Sequence, residues 1–363
     1  MRDRLYKTCA ELEPMAPYRE LTNKASLSVV VLARDEEANI AACLRSIGWA
    51  GEIFVVDSGS RDRTVEIAQA FGAKVYEHSF EGYAKQRNWA LRNLPISNDW
   101  VLMLDADERI PPALAGEIQQ AIRNEGQNYA GFYLKFRHIF LGRFLRHGGL
   151  YPTWLLRLYK RHQVRFEDRP MNEHVILEGE AGYLSQPFDH RDLRPLRHWV
   201  SKHNRYAELE AEEYFQEKFG GGYRNSIPVR FWGSQAQRKR WIKLRVWNRL
   251  PVLFRPFLLF FRNYFLRAGF LDGQAGFVYH VLWSFWYPFL VGVKIVERRV
   301  SSEVMDLKPT CLRSLPARAG QARAVWGPVE GQGLNPAETA LPPYPSPFPI
   351  GGRGCPKDGS GGT

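Results

Sequence analysis

An α/β fold, with a mostly parallel sheet and helices on both faces, is predicted by two features of this 363-residue chain. Short β-branched runs alternate with helical apolar periods from Leu27 to about Ile122, and such alternation argues for parallel strands joined by crossover helices. The chain is also 45% hydrophobic and long enough to bury a packed core, and its length suggests one large domain or two ordinary ones. Leu27-Ser-Val-Val-Val-Leu32 is the first strand, a continuous apolar run suited to burial on both faces. A helix with Ile40, Leu44 and Ile47 on one side follows. Ile53 to Val56 is the second strand, and Thr64 to Phe71 a helix closed by Gly72. Ala73 to Glu77 gives a third strand, Tyr83 to Leu94 a helix, and Trp100 to Leu104 a fourth strand. Pro111-Pro112 opens a helix carrying Leu114, Ile118 and Ile122. In such sheets ligands bind beyond the carboxyl ends of the strands.

After Gly131 the pattern changes. Phe132, Leu134 and Phe136 alternate with Tyr133, Lys135 and Arg137, which predicts an antiparallel excursion, and Trp154 to Tyr159 predicts a further strand. Trp199 to Phe219 is a charged helix ended by Gly220-Gly-Gly222. The expected domains are an N-terminal extension over 1–25, a catalytic α/β domain over 26–222, a basic and aromatic helical region over 223–300, and a disordered tail over 301–363. The tail has ten Pro and ten Gly in its 63 residues.

Fifty Lys and Arg against 38 Asp and Glu leave a net charge of +12. Asn225 to Phe270 holds ten basic residues and no acidic one. Gly276 to Val293 then runs 18 residues without a formal charge, at the lower edge of a membrane span of roughly 17–25 residues. Pro288 interrupts it, its aromatics lie mid-segment, and basic residues flank both ends. Helices lying in the membrane interface, or a shallow hairpin, are therefore expected in preference to a span, with a soluble aromatic subdomain as the alternative. Cys9, Cys43, Cys311 and Cys355 are far apart, which excludes a disulfide framework and a cysteine zinc site and suits a reducing compartment. Met1 to Met15 lacks the apolar core of a signal peptide. The expected location is the cytoplasmic face of a membrane, peripheral or monotopic.

The chemistry is expected at the strand ends. Arg34-Asp35-Glu36 follows the first strand. Asp57-Ser58-Gly59-Ser60 follows the second, where Asp57 suits hydrogen bonds from a nucleobase or ribose, or capping of the next helix. Asp105-Ala-Asp107 follows the fourth, a spacing that lets two carboxylates chelate one divalent cation. Lys85-Gln-Arg-Asn88 offers Lys85, Arg87 and Asn88 to phosphate oxygens, or presents a solvated helix face. A lone DxD is weak, but acidic groups at three successive strand ends on one rim resist a purely structural explanation. No GxGxxG or GxxxxGKS/T motif occurs at these turns, so neither a dinucleotide fold nor a P-loop kinase is supported. A nucleic-acid-binding protein would suit the charge and aromatics, yet it leaves the acidic rim unexplained. A catalytically dead scaffold would bind no substrate at this rim.

Leu27 to Ile40, Val55-Val-Asp-Ser-Gly-Ser-Arg-Asp-Arg-Thr64 and Leu104-Asp-Ala-Asp-Glu108 together resemble family 2 glycosyltransferases, which have the GT-A fold. His147-Gly-Gly-Leu-Tyr-Pro152, Leu156-Arg157-Leu-Tyr159, Met171-Asn-Glu-His-Val175 and Lys202-His-Asn-Arg-Tyr206 resemble the bacterial branch that adds sugars to the lipopolysaccharide core, often glucose onto heptose. The resemblance spans roughly Ser26 to Glu297. It implies inverting transfer from a nucleotide sugar, a UDP-sugar foremost, to a lipid-linked glycan acceptor at an anionic membrane surface, with no nucleic acid partner. Polyprenyl phosphate or another envelope polysaccharide is the alternative acceptor. It also implies a divalent cation (Mg2+ or Mn2+) on Asp107 and His190. Asp57 would meet the base and Asp105 the ribose or metal. Asp35, Glu36, Lys85, Arg87, Asn88 and Arg157 would line the substrate site, and Glu173 would be the general base. Asp35 stands where the family pattern has Asn, and Asn172-Glu173-His174 replaces the usual Glu-Asp, leaving Glu173 or His174 at the base position with the carboxylate favoured.

Overall fold

The computed structural model describes residues 24–167, 175–219, 232 and 250–311. Strands β1 (Ala25–Ala33), β2 (Ala50–Asp57), β3 (Lys74–Glu77) and β4 (Trp100–Asp105) alternate with helices α1 (Ile40–Ser46), α2 (Thr64–Ala70) and α3 (Tyr83–Asn93). The two-residue strand β5 (Glu108–Arg109) and helix α4 (Pro112–Glu125) complete this half. β1 lies between β2 and β4, parallel to both, and β3 is parallel to β2 at the edge. Every element expected between Leu27 and Ile122 is present. Alternate residues of β1 sort to opposite faces, as a period of two requires. Val29 and Val31 pack with Ile40 and Leu44 of α1 and Leu114 and Ile118 of α4, while Val30 and Leu32 pack with Ala84, Ala90 and Leu91 of α3. Burial on both faces is why β1 has no polar alternation.

The sheet continues through β6 (Gly131–Phe140), the short β7 (Arg143–Phe144) and β8 (Thr153–Lys160). β9 (Val164–Phe166) and β10 (Val175–Leu177) form a separate antiparallel pair, and β11 (Ala181–His190) returns to the main sheet. Its order is β3-β2-β1-β4-β8-β6-β11-β5, with β7 beside β6. β8 is antiparallel to both β4 and β6, as the alternating residues suggested, whereas β11 runs parallel to β6. β11 carries no clear strand period in the sequence. Ser185, Gln186 and Pro187 break its apolar pattern, and its register shifts between Tyr183 and Pro187. A proline has no N–H for the ladder, so it occupies the irregularity.

Helix α5 (Leu196–Phe219) leads from the sheet to the C-terminal helices. α6 (Arg255–Phe260) continues as a π-helical turn, Phe261–Leu266. After a 3-10 turn, Gly269–Asp272, come α7 (Gly273–His280), a second π turn (Val281–Trp286) and α8 (Tyr287–Cys311). α8 passes the expected boundary at Val300, so the first part of the anticipated tail is helical. Leu145, Trp199, Tyr206, Tyr279, Trp283 and Tyr287 form a third core that joins α5 to the C-terminal helices. The Gly220–Gly222 stop and most of the basic run before Leu250 lie outside the described residues.

The His147–Pro152 loop is where the sheet and these helices interlock. The His147 N–H donates to Asp272 Oδ2 at 2.8 Å, and His147 Nδ1 lies 2.7 Å from Asp272 Oδ1. Gly148 N–H donates to the Arg267 carbonyl at 2.9 Å. Gly148 (φ +69) and Gly149 (φ +81) are left-handed, and a Cβ on either would overlap the His280 ring or the Arg267 guanidinium. Only glycine meets both demands without strain.

Candidate active site

The acidic strand ends meet on one rim, but they do different jobs. Beyond β1, Asp35 is left-handed (φ 51), a region that Asn and Asp enter most readily among non-glycine residues. Asp in place of Asn therefore preserves this turn. Its Oδ1 accepts the Arg61 N–H at 2.8 Å, and its own N–H donates to Ser60 Oγ at 2.9 Å. Glu36 is fully buried. Its Oε1 lies 2.7 Å from Arg194 Nη1 and its Oε2 accepts from Asn39 Nδ2 at 2.7 Å. Burial pushes its carboxyl up to about 8, against the pull of Arg194. Beyond β2, the Asp57 carboxylate gathers the next turn. It accepts from the N–H groups of Gly59 (3.0 Å) and Ser60 (2.8 Å) and from Ser60 Oγ (2.5 Å). Both N–H groups fall on Oδ2, so Oδ1 keeps one lone pair for another donor.

Asp105 and Asp107 are two residues apart and part company. Asp105 faces Arg87 Nη2 at 3.1 Å and Arg157 Nη2 at 2.8 Å, one guanidinium on each oxygen. Arg157 also reaches Glu108 Oε1 at 2.5 Å, and Glu108 Oε2 accepts the Asp105 N–H at 2.9 Å. Burial drives the Glu108 carboxyl up to about 7, against Arg157. This chain of charges is buried and internally matched. Arg87 therefore departs from its expected place at the phosphates. α3 packs on the sheet, so this residue turns inward, 5.6 Å over the Phe166 ring, and braces β4. Arg157, expected in the substrate site, serves the same brace. Asn88 departs too: its side chain donates to the Phe166 carbonyl at 2.8 Å and accepts the Phe166 N–H at 2.9 Å, clamping β9. Lys85 is on the solvent side of α3, 3.6 Å from Glu81. The β9 clamp immediately precedes the segment with Glu173, which lies outside the described residues.

Asp107 faces a different group. β11 pairs with β5 so that His190 stands opposite Glu108, and the Arg191 N–H donates to the Asp107 carbonyl at 2.9 Å. This ladder brings His190 Nε2 to 3.2 Å from Asp107 Oδ2. Burial alone would raise the Asp107 carboxyl, but His190, Lys202 and Arg194 outweigh it and hold it far below the usual range. Burial likewise opposes the His190 charge, and Asp107 outweighs it, so the imidazole is shifted up. Asp107 Oδ1 is buried without a hydrogen-bond partner. A buried carboxylate oxygen of that kind beside an imidazole is a fitting donor set for a hard divalent cation. Among the described residues no group of three or more His, Cys, Asp or Glu is placed to hold a metal ion. Mg2+ is commonly held by one or two protein groups together with substrate phosphates, so two donors suffice for a cation that arrives with its diphosphate.

Behind this pair stands a layer of support that was not expected from the sequence. Asn39 Nδ2 reaches Asp192 Oδ1 at 3.0 Å, and its Oδ1 accepts the Leu193 N–H at 2.9 Å, tying the start of α1 to the segment after β11. Arg194 joins Glu36 to Asp192, and Gln86 Nε2 donates to Ser58 Oγ at 2.5 Å. Lys202 is buried within the same charge cluster. Asn39, Ser58, Gln86 and Lys202 all lie within the motifs quoted above, whereas Asp192 and Arg194 carry no such signal.

Residues 28–190 match the model of a family described as glycosyl transferase family 2. The lipopolysaccharide core biosynthesis glycosyltransferase LpsC of Rhizobium meliloti is 26% identical over 283 residues, covering 76% of this chain and 93% of the relative. An uncharacterized glycosyltransferase of Rickettsia conorii is 25% identical over 298 residues, 78% of this chain and 94% of that protein. Among solved structures, glucosyl-3-phosphoglycerate synthase of Mycobacterium tuberculosis, in complex with Mn2+, UDP and glucosyl-3-phosphoglycerate, is similar at 20% identity and a TM-score of 0.34. That likeness covers 48% of this chain and 75% of that one. Together with the family match, the mixed sheet with helices on both faces is a GT-A fold.

Proposed function

From the match of residues 28–190 to glycosyl transferase family 2, we propose an inverting, cation-dependent transfer of a sugar from a nucleotide donor, a UDP-sugar foremost, to a lipid-linked envelope glycan. The leading case is glucose onto a heptose of the lipopolysaccharide inner core, at the cytoplasmic face of the inner membrane. The similarity to a lipopolysaccharide core enzyme over most of both chains supports the acceptor class. The meeting of Asp107 and His190 at the strand ends is the observation that carries the reaction.

Asp107 and His190 would hold Mg2+ or Mn2+. When bound, the cation supplies positive charge to the departing diphosphate. The protein's own residues do the rest. Asp57 offers the remaining lone pair of Oδ1 to the nucleobase, at the end of a turn that it holds together. Lys85 adds a mobile cation for phosphate oxygens at the solvent side. Asp105, Arg87, Arg157 and Glu108 keep the β4 end fixed, so that Asp107 is presented without reorganisation, the condition under which electrostatic stabilisation is strongest. Glu173 is proposed to remove the proton from the acceptor hydroxyl, which attacks the anomeric carbon opposite the leaving group. A screen of nucleotide sugars by thermal shift and by donor hydrolysis, with and without Mn2+, tests this reading. One UDP-sugar is expected to stabilise the protein and be hydrolysed only with the cation. No response to any nucleotide sugar would refute it.

A further inference from the structure

The helix formed by α6 and its π-helical continuation has its polarity reversed. Pro256, Leu259 and Asn263 are buried against the rest of the protein. The opposite side carries Phe254, Phe257, Leu258, Phe261 and Phe265, spaced three or four residues apart and therefore on one face. Phe257, Phe261 and Phe265 are 51%, 53% and 50% exposed. Leu266, Phe270 and Leu271 extend the surface beyond the helix. A contiguous aromatic surface of this kind marks an interaction site. Charge defines the partner. Arg255 and Arg262, seven residues apart and each partly exposed, share one flank of the helix, Arg255 bonded to the Leu250 carbonyl, and partly exposed Arg267 follows it beside Gly149. The sequence from Asn225 to Phe270 contains no acidic residue. The next one, Asp272, is buried and engaged by His147. Aromatic side chains bordered by cations, with no exposed acid among them, complement a bilayer of anionic lipids.

We infer that this face is an in-plane membrane anchor that inserts into the headgroup region of an anionic bilayer without crossing it. Gly269–Ser301 is long and apolar enough to cross a membrane by length and composition alone. Its contacts argue otherwise. Tyr287 donates to Glu210 Oε1 at 2.7 Å and Arg299 Nη2 to the Tyr214 hydroxyl at 2.7 Å, while Lys294 pairs with Glu208 and Arg298 with Glu212. Moving α8 into lipid would break these bonds or draw the charged α5 in with it, a heavy penalty. The polar contacts of Asn263 and His280 with Ser284, both at 3.1 Å, likewise bind the helices to one another. The His147–Asp272 contact and the Gly148–Arg267 bond then set the height of the sheet above the lipid.

The inference deepens the proposed function by naming the surface beside which a lipid-linked acceptor is met, and rests on that reading for this link alone. The test is co-sedimentation of the full chain with phosphatidylcholine vesicles, with and without phosphatidylglycerol. Binding should require the anionic lipid and weaken as salt rises. The triple variant Phe257→Ser/Phe261→Ser/Phe265→Ser should bind about a hundredfold more weakly while unfolding cooperatively and hydrolysing donor as before. Phe265→Trp should be quenched more by a nitroxide near the headgroups than by one near the acyl ends. Equal binding to neutral vesicles, no binding, self-association through this face in place of binding, or quenching deep in the bilayer would overturn the anchor. Donor hydrolysis is read separately, so the anchor and the transfer reaction fail independently.

Discussion

Asp105 and Asp107 show how little a short motif says about the work of each residue. The DxD spacing suggested a shared cation, yet both Asp105 oxygens are taken by Arg87 and Arg157. Asp105 is thus a keystone of the fold, and its loss should appear as instability. Removing one partner of a buried charge network typically costs about 3–5 kcal/mol. Asp105→Ala should lower the unfolding free energy by about that much in urea titrations, because buried Arg87 loses the Asp105 carboxylate and Arg157 keeps only Glu108. Gly148 is the second residue whose role is steric. Gly148→Ala imposes a left-handed alanine, about 1–2 kcal/mol, and drives its methyl into His280. Thermal unfolding should fall by several degrees or more.

At the scale of elements, the α5–α8 seam combines contacts of unequal worth. Arg298 meets Glu212, whose side chain is half exposed, and such pairs contribute about 0–1 kcal/mol. Arg298→Ala should therefore change stability little. His280, packed against Gly148 and Gly269, is the opposite case. Burial lowers its pKa to about 4, against the weaker pull of Asp272. Its unfolded value is about 6.5, so the unfolded chain binds the extra proton first as pH falls. The stability held by neutral His280 is complete above about pH 6.5 and is lost progressively toward pH 4. Urea titrations from pH 7.5 to 4.5 should show this decline, reduced in His280→Gln. The β1-to-α4 half was legible because parallel strands buried on both faces and the helices that cover them leave strong periodic patterns. β11 was not, because Pro187 and its polar neighbours erase the period that a strand needs. Arg87, Asn88, Arg157 and Arg194 were misread or missed for a related reason: pattern alone cannot tell a buried charge held by partners from a solvated one.

The whole molecule separates its charges. The basic excess falls mainly within Asn225–Phe270, whereas the strand-end rim is built around carboxylates and their internal partners. The third core and the His147–Pro152 loop join these two regions. This arrangement explains why net charge alone was a poor guide to the ligand at the rim, while the location of the charge was informative. Disrupting the joint should separate the functions: Asp272→Asn weakens the His147 contact, and is expected to reduce transfer to a lipid-embedded acceptor more than donor hydrolysis in solution. The central claim is that Asp107, set beside His190 by the β5–β11 ladder, is the residue through which a divalent cation serves the donor. The most direct measurement is Mn2+-dependent hydrolysis of the UDP-sugar identified by screening, for the wild type and Asp107→Asn, with cooperative unfolding checked in both. A loss of at least about a hundredfold is expected in the variant, with no turnover by the wild type without the cation. Near-normal turnover in Asp107→Asn, or in the wild type stripped of divalent cations, would contradict that claim.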